Sequence, residues 1–159
     1  MLRAIWVFAL VLAPVLSPAQ DESAGTISFN HVALSVEDVD RSAAFYRDIF
    51  GLTEITNRTE IPGIRWFSFG EGKELHLISL GDPPGPMPKE LHFALTTTNF
   101  DHFIDVLRSA GVEFSDFPGN IGQVSIRADQ TRQVYLRDPD GYWIEVNSVA
   151  ADEDTPGED

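Results

Sequence analysis

The sequence predicts an α+β chain built as two βαβββ modules packed into one domain, and three observations lead there. A short motif recurs: Asn30-His31-Val32-Ala33-Leu34-Ser35 matches Leu91-His92-Phe93-Ala94-Leu95-Thr96 at an offset of 61 residues. Each copy is followed by one helix-like stretch and then by three strand-like ones. Four prolines between Gly81 and Pro88 separate the halves, because proline fixes φ and offers no N–H to a helix or a central strand. Units of about 60 residues bury too little surface to be stable alone, so the halves are expected to share a core. The boundaries are module one over residues 27–80, a linker over 81–90 and module two over 91–149.

In the first half, Asp38 is placed to cap a helix that carries Val39, Phe45 and Ile49 as its apolar stripe and ends at Gly51. Strands are expected over Thr53–Asn57, Ile64–Phe69 and Glu74–Leu80. In the second half Asn99 caps a helix with Phe100, Phe103 and Leu107 inward and Gly111 at its end. Strands follow over Val112–Phe117, Gln133–Arg137 and Tyr142–Val149, the last two joined by the turn Asp138-Pro139-Asp140-Gly141. The stretch Pro118–Arg132, with Gly119 and Gly122, is long enough for a lid or for an ordinary surface excursion.

Composition narrows the chemistry. The 159 residues include no cysteine, which removes disulfides, thiolate metal sites and a cysteine nucleophile together. With a formal charge of −14 the surface repels phosphate backbones and anionic lipid, so nucleic acid and membrane surfaces are not expected partners. Residues 150–159 read as a disordered acidic tail. Arg3, the apolar run Ala4–Ala13 and Ser17-Pro18-Ala19 have the layout of a secretory leader over residues 1–19, cleaved after Ala19. The run is too short to span a bilayer as a helix. An exported protein, periplasmic or secreted, is expected.

Alternation along the strands supplies the candidate site. Val32, Leu34 and Val36 share one face of the first strand and His31, Ala33 and Ser35 the other; Phe93 and Leu95 likewise oppose His92, Ala94 and Thr96. In the last strands of the halves, His76 lies between Leu75 and Leu77, and Glu145 between Ile144 and Val146, at an offset of 69. Two pairs of repeat mates are thus aimed at one axis. Three imidazoles and a carboxylate suit Zn²⁺, Ni²⁺, Fe²⁺, Co²⁺ or Mn²⁺. A lone strand histidine is more often structural than a ligand, and it is the repeat symmetry that favours the metal reading. His102 lies outside the pattern and is expected at the surface. Arg65, Arg127 and Arg132 are candidates for holding an anionic substrate group or are plain ion-pair partners. Trp66, Trp143 and Tyr135 could line a cleft or serve as core. No nucleophile elbow, phosphate loop or dinucleotide motif is present.

The segments Asn30–Val36, Ser42–Tyr46 with Gly51-Leu52, Leu91–Leu95 and Asp138–Val146 resemble the vicinal oxygen chelate superfamily, which contains glyoxalase I, fosfomycin resistance proteins, extradiol dioxygenases and bleomycin-binding proteins. The resemblance covers residues 28 to 148. It implies paired βαβββ modules forming a cupped mixed sheet around a divalent metal, with His31, His76, His92 and Glu145 at the ligand positions. It also implies a small-molecule substrate and a homodimer, in which the four ligands need not come from one chain. Glyoxalase I usually has Glu where this chain has His76.

The resulting expectation is a glyoxalase-like lyase or isomerase. A cation polarises two adjacent substrate oxygens, Glu145 removes a neighbouring proton and His76 returns it. The alternatives are an Fe(II)-dependent ring-cleaving dioxygenase on His31, His92 and Glu145, and a non-catalytic binding protein. Export away from cytosolic thiols argues against thiol addition and against strict glutathione dependence.

Overall fold

The computed structural model describes residues 26–83 and 85–149; the expected leader and acidic tail lie outside the described residues. Module one comprises β1 (His31–Ser35), α1 (Val39–Phe50), β2 (Thr53–Ile55), β3 (Ile64–Gly70) and β4 (Lys73–Ile78). Module two comprises β5 (His92–Thr97), α2 (Phe100–Ala110), β6 (Phe114–Ser115), β7 (Ser125–Ile126), β8 (Arg132–Arg137) and β9 (Trp143–Ser148). Each module forms its own mixed sheet, ordered β1-β4-β3-β2 and β5-β9-β8-β6, with β7 also on β8. The α+β class and the doubled βαβββ plan hold.

Both helices are bounded as the sequence implies. Asp38 accepts the backbone N–H of Asp40 and Arg41, Asn99 accepts that of His102, and Gly51 and Gly111 close the helices at φ 65° and 66°. This left-handed conformation costs a Cβ-bearing residue energy and glycine none. The strand expected over Val112–Phe117 is shorter, because Asp116 turns the chain by accepting the N–H of Gly119 and Asn120. The chain then returns as β7, inside the expected loop.

The repeat reappears in the register. Parallel pairing sets Ala33 opposite His76 in module one and Ala94 opposite Glu145 in module two. On the antiparallel neighbour, Trp66 faces His76 and Tyr135 faces Glu145. His76 and Glu145 are therefore repeat mates in space, and so are Trp66 and Tyr135.

Alternation sends the aliphatic faces inward. Leu34, Phe67, Leu75 and Leu77 from one sheet and Val134, Leu136, Ile144 and Val146 from the other join Tyr46, Phe103 and Leu107 of the helices in one buried cluster. Fully burying an aliphatic or aromatic side chain of this size stabilises the fold by roughly 1.5–3 kcal/mol. The turn between β8 and β9 latches the modules together. Asp138 accepts the Tyr46 hydroxyl at 2.9 Å, Asp140 accepts the Ser42 hydroxyl at 2.6 Å and the Glu37 N–H at 2.8 Å, and the Tyr142 hydroxyl donates to the Ser35 carbonyl. Because the apolar faces share this core, both histidine-bearing faces lie on the opposite side of their sheets. Among the described residues no helix is long and apolar enough to cross a membrane.

Candidate functional site

The four expected ligands come together as two pairs. In module two, Lys89 O accepts from His92 Nδ1 at 2.7 Å, and His92 Nε2 lies 3.0 Å from Glu145 Oε2. Glu145 is buried, and donors surround it: Gln133 and Asn147 amides at 2.7 Å each on Oε1, and the Tyr135 hydroxyl at 2.5 Å on Oε2. Burial pushes its carboxyl up, but the hydrogen bonds from Tyr135, Asn147 and Gln133 and the nearby His92 outweigh this and hold it below the usual carboxylate range. The Tyr135 phenol is pushed up by burial and by the Glu145 carboxylate it serves.

The Lys89 carbonyl only accepts, so His92 donates to it from Nδ1. Its Nε2 faces the ionised Glu145 oxygen at 3.0 Å, a contact that a proton on Nε2 or a bound cation makes favourable.

In module one, Asn30 Oδ1 accepts from His31 Nδ1 at 2.7 Å, as Lys89 O accepts from Nδ1 of its repeat mate His92. His76 is buried between two rings, stacked on Trp66 with centroids 4.0 Å apart and on His31 at 4.2 Å. Its Nε2 donates to Glu74 Oε2 at 2.8 Å, and Arg58 holds the other Glu74 oxygen at 2.9 Å. The His76 hydrogen bond, with Arg58 beside it, keeps the Glu74 carboxyl below its ordinary value against a smaller opposing effect of burial.

No three His, Cys, Asp or Glu side chains among the described residues are gathered so as to hold an ion. One chain therefore presents the four candidate ligands as two separate pairs. Their chemistry fits a divalent cation of borderline softness. Imidazoles whose Nδ1 is tied to a local oxygen and whose Nε2 is presented are the usual form of histidine ligands. Among the described residues, the two buried side-chain polar atoms without a partner, Trp66 Nε1 and Asn147 Oδ1, belong to residues flanking His76 and Glu145.

Glu74 was not singled out in the sequence, although the same two-residue alternation places it on the face of His76. It returns a carboxylate to the module in which His76 replaces the usual Glu. Gln133 and Asn147 were legible by that rule too. His102 is exposed, as expected. Of the two readings of Arg65, Arg127 and Arg132, the ion-pair one holds: Arg65 pairs with Glu54 and Asp40, Arg127 with Asp129, and Arg132 with Asp101. Trp66 and Tyr135 are both buried and site-lining, so the two readings of these aromatics merge.

Comparison with known proteins agrees with this architecture. The sequence model of the Glyoxalase/Bleomycin resistance protein/Dioxygenase superfamily matches residues 28–146. A lactoylglutathione lyase of Arabidopsis thaliana is 27% identical over 128 residues, covering 74% of this chain and 43% of the plant protein. The chain thus spans less than half the length of that relative. Among solved structures, Oxidase ChaP-H2 superposes with a TM-score of 0.65 at 23% identity, covering 80% of this chain and 98% of its own. A fosfomycin resistance protein from Listeria monocytogenes superposes with a TM-score of 0.64 at 20% identity, covering 81% and 98%. At these identities the solved structures bear on the fold alone. Repeat, register and family match converge, and the chain belongs to the Glyoxalase/Bleomycin resistance protein/Dioxygenase superfamily.

Proposed function

We propose that the chain is an exported, divalent-metal-dependent enzyme of the glyoxalase type, a lyase or isomerase acting on a small substrate with two adjacent oxygens. We further propose that it works as a homodimer in which His31 and His76 of one copy meet His92 and Glu145 of the other. The observation that carries this reading is the approach of His92 Nε2 to the Glu145 carboxylate at 3.0 Å in a chain whose second pair of donors, His31 and His76, lies elsewhere. The lactoylglutathione lyase relative supports it. A bound divalent cation supplies Lewis-acid polarisation of the substrate oxygens.

The chain's own residues do the rest. Glu145, kept ionised by three donors, takes the proton from the carbon beside the polarised oxygens. Tyr135, Gln133 and Asn147 hold it in position. Where His76 is not a ligand, its imidazole, oriented by Glu74 and screened from water by Trp66 and His31, delivers a proton to the neighbouring carbon and regains one from protonated Glu145 through solvent, which resets both groups. Metal analysis of protein purified without chelator or a metal-binding tag tests this. About one ion per chain is expected, with loss in each of His31→Ala, His92→Ala and Glu145→Ala. A metal-free native protein that still takes up small molecules supports sequestration instead.

One observation favours a second reading. Glu74 occupies His76 Nε2, and the donors then left are His31, His92 and Glu145, the two-histidine, one-carboxylate set of Fe(II) oxygenases. Iron-dependent oxygen uptake with catechol would promote it.

A further inference from the structure

On a chain with 25 acidic residues, two cations have no carboxylate partner among the described residues, and they sit together. Arg41, Arg47, Arg58, Arg65, Arg108, Arg127, Arg132 and Lys73 are each paired with an acid. The exceptions are Lys89 and Arg137. Both lie over the Trp143 ring, at 4.6 Å and 4.3 Å from its centroid. The Lys89 ammonium is spent on the Ser115 hydroxyl and on the carbonyls of Asp116 and Phe117. The Arg137 guanidinium makes no such bonds.

Arg137 and Trp143 line a cavity of about 570 Å³, with Phe45, Phe114, Ser115 and Tyr135 among its other walls. Two carboxylates also line it. Asp138 is committed to Tyr46 and to the backbone N–H groups of Asp140 and Tyr142, and Glu113 makes no ion pair with Arg137. Register ties the cavity to the candidate site. Trp143 is paired with His92 on one side and Arg137 on the other, and the next row on the same face is Ala94, Glu145 and Tyr135. Tyr135 belongs to both places: its ring lines the cavity and its hydroxyl donates to Glu145.

We propose that this cavity is an anion subsite in which Arg137 takes the carboxylate of a small aromatic or otherwise planar acid, whose apolar body lies against Tyr135 and Trp143. Arginine presents paired N–H groups that match a carboxylate, and aromatic walls favour a flat apolar body. Arg137 is exposed and carries its charge beside that of Lys89, so an anion entering here meets two like cations. A substrate that carries its reacting oxygens two strand residues from its acid, roughly 7 Å, would reach Glu145 while held here. That last step rests on the proposed function; binding of the acid does not.

The test separates the two. Phenylacetate and its neutral counterpart benzyl alcohol are titrated into metal-free protein by calorimetry, with wild type, Arg137→Gln and Arg137→Lys compared. Wild type is expected to bind phenylacetate more tightly than benzyl alcohol, with a loss of about tenfold or more in Arg137→Gln and partial recovery in Arg137→Lys. Benzyl alcohol binding should not respond to either change. Equal affinity of wild type and Arg137→Gln for phenylacetate, or no saturable phenylacetate binding by wild type, overturns the subsite. Catechol binding by metal-loaded protein reports separately on whether adjacent oxygens are chelated, so failure of that reading is distinguishable from failure of this one.

Discussion

Glu145→Gln is expected to keep the fold and lower proton-transfer turnover by about two to four orders of magnitude, the usual contribution of a positioned base. The substitution is close to isosteric. The carbonyl of the introduced amide can accept the Gln133 and Asn147 amides that now reach Oε1, and its NH₂ can donate to the Tyr135 oxygen. What disappears is the negative charge and the capacity to take a proton. Deuterium incorporation from solvent into the carbon beside the carbonyl of a 2-hydroxyketone such as hydroxyacetone, followed by NMR, reads this directly. If the variant folds, holds metal and exchanges at the wild-type rate, Glu145 is not the base.

Asp138→Ala is expected to destabilise the protein by roughly 2–4 kcal/mol, because it leaves the buried Tyr46 hydroxyl and two backbone N–H groups without their acceptor. Asp138→Asn should cost far less, since its carbonyl can accept both N–H groups and the Tyr46 oxygen can accept from its amide. The two variants also separate charge from geometry. Burial raises the Asp138 carboxyl above its ordinary value, Asp140 adds to this, and the bonds from Tyr46, Tyr142 and Asp140 only partly oppose it. The native state therefore binds this proton more readily than the unfolded chain. Its contribution to stability is complete below the unfolded value, about 4, and is lost as pH rises through the higher native one. Denaturant midpoints measured across that window should fall with pH more steeply in wild type than in Asp138→Asn. Equal slopes would contradict the assignment.

Much of this site was legible before any coordinates because it is periodic. The recurrence of His31-Val32-Ala33-Leu34 at His92-Phe93-Ala94-Leu95 placed the modules, and the two-residue period of a strand put His31, His76, His92 and Glu145 opposite the aliphatic residues that became the core. The spatial pairing of Ala33 with His76 and of Ala94 with Glu145 follows from that repeat. The division of the four ligands into two separate pairs does not. It depends on how Tyr46, Phe103 and Leu107 of the helices bring the two sheets together, which is long-range packing with no local signature. The partners of Arg65 and Arg132 escaped for the same reason: Arg65 reaches Asp40 across 25 residues and Arg132 reaches Asp101 across 31. Only after those pairs are taken does Arg137 stand out. β7 is a two-residue ladder beyond Gly122, too short to carry a periodic signal.

In the proposed homodimer the two ligand pairs complete each other across two copies of the chain, and complementation between variants reads this out. The double variants His31→Ala/His76→Ala and His92→Ala/Glu145→Ala are purified separately, unfolded and refolded together, and the mixed dimer is isolated by differential tagging that avoids metal-binding tags. Each double variant alone should hold no ion. In the mixed dimer one of the two proposed shared sites regains all four ligands, so about one ion per dimer is expected. A mixed dimer without metal, or stoichiometric metal on either variant alone, would contradict it.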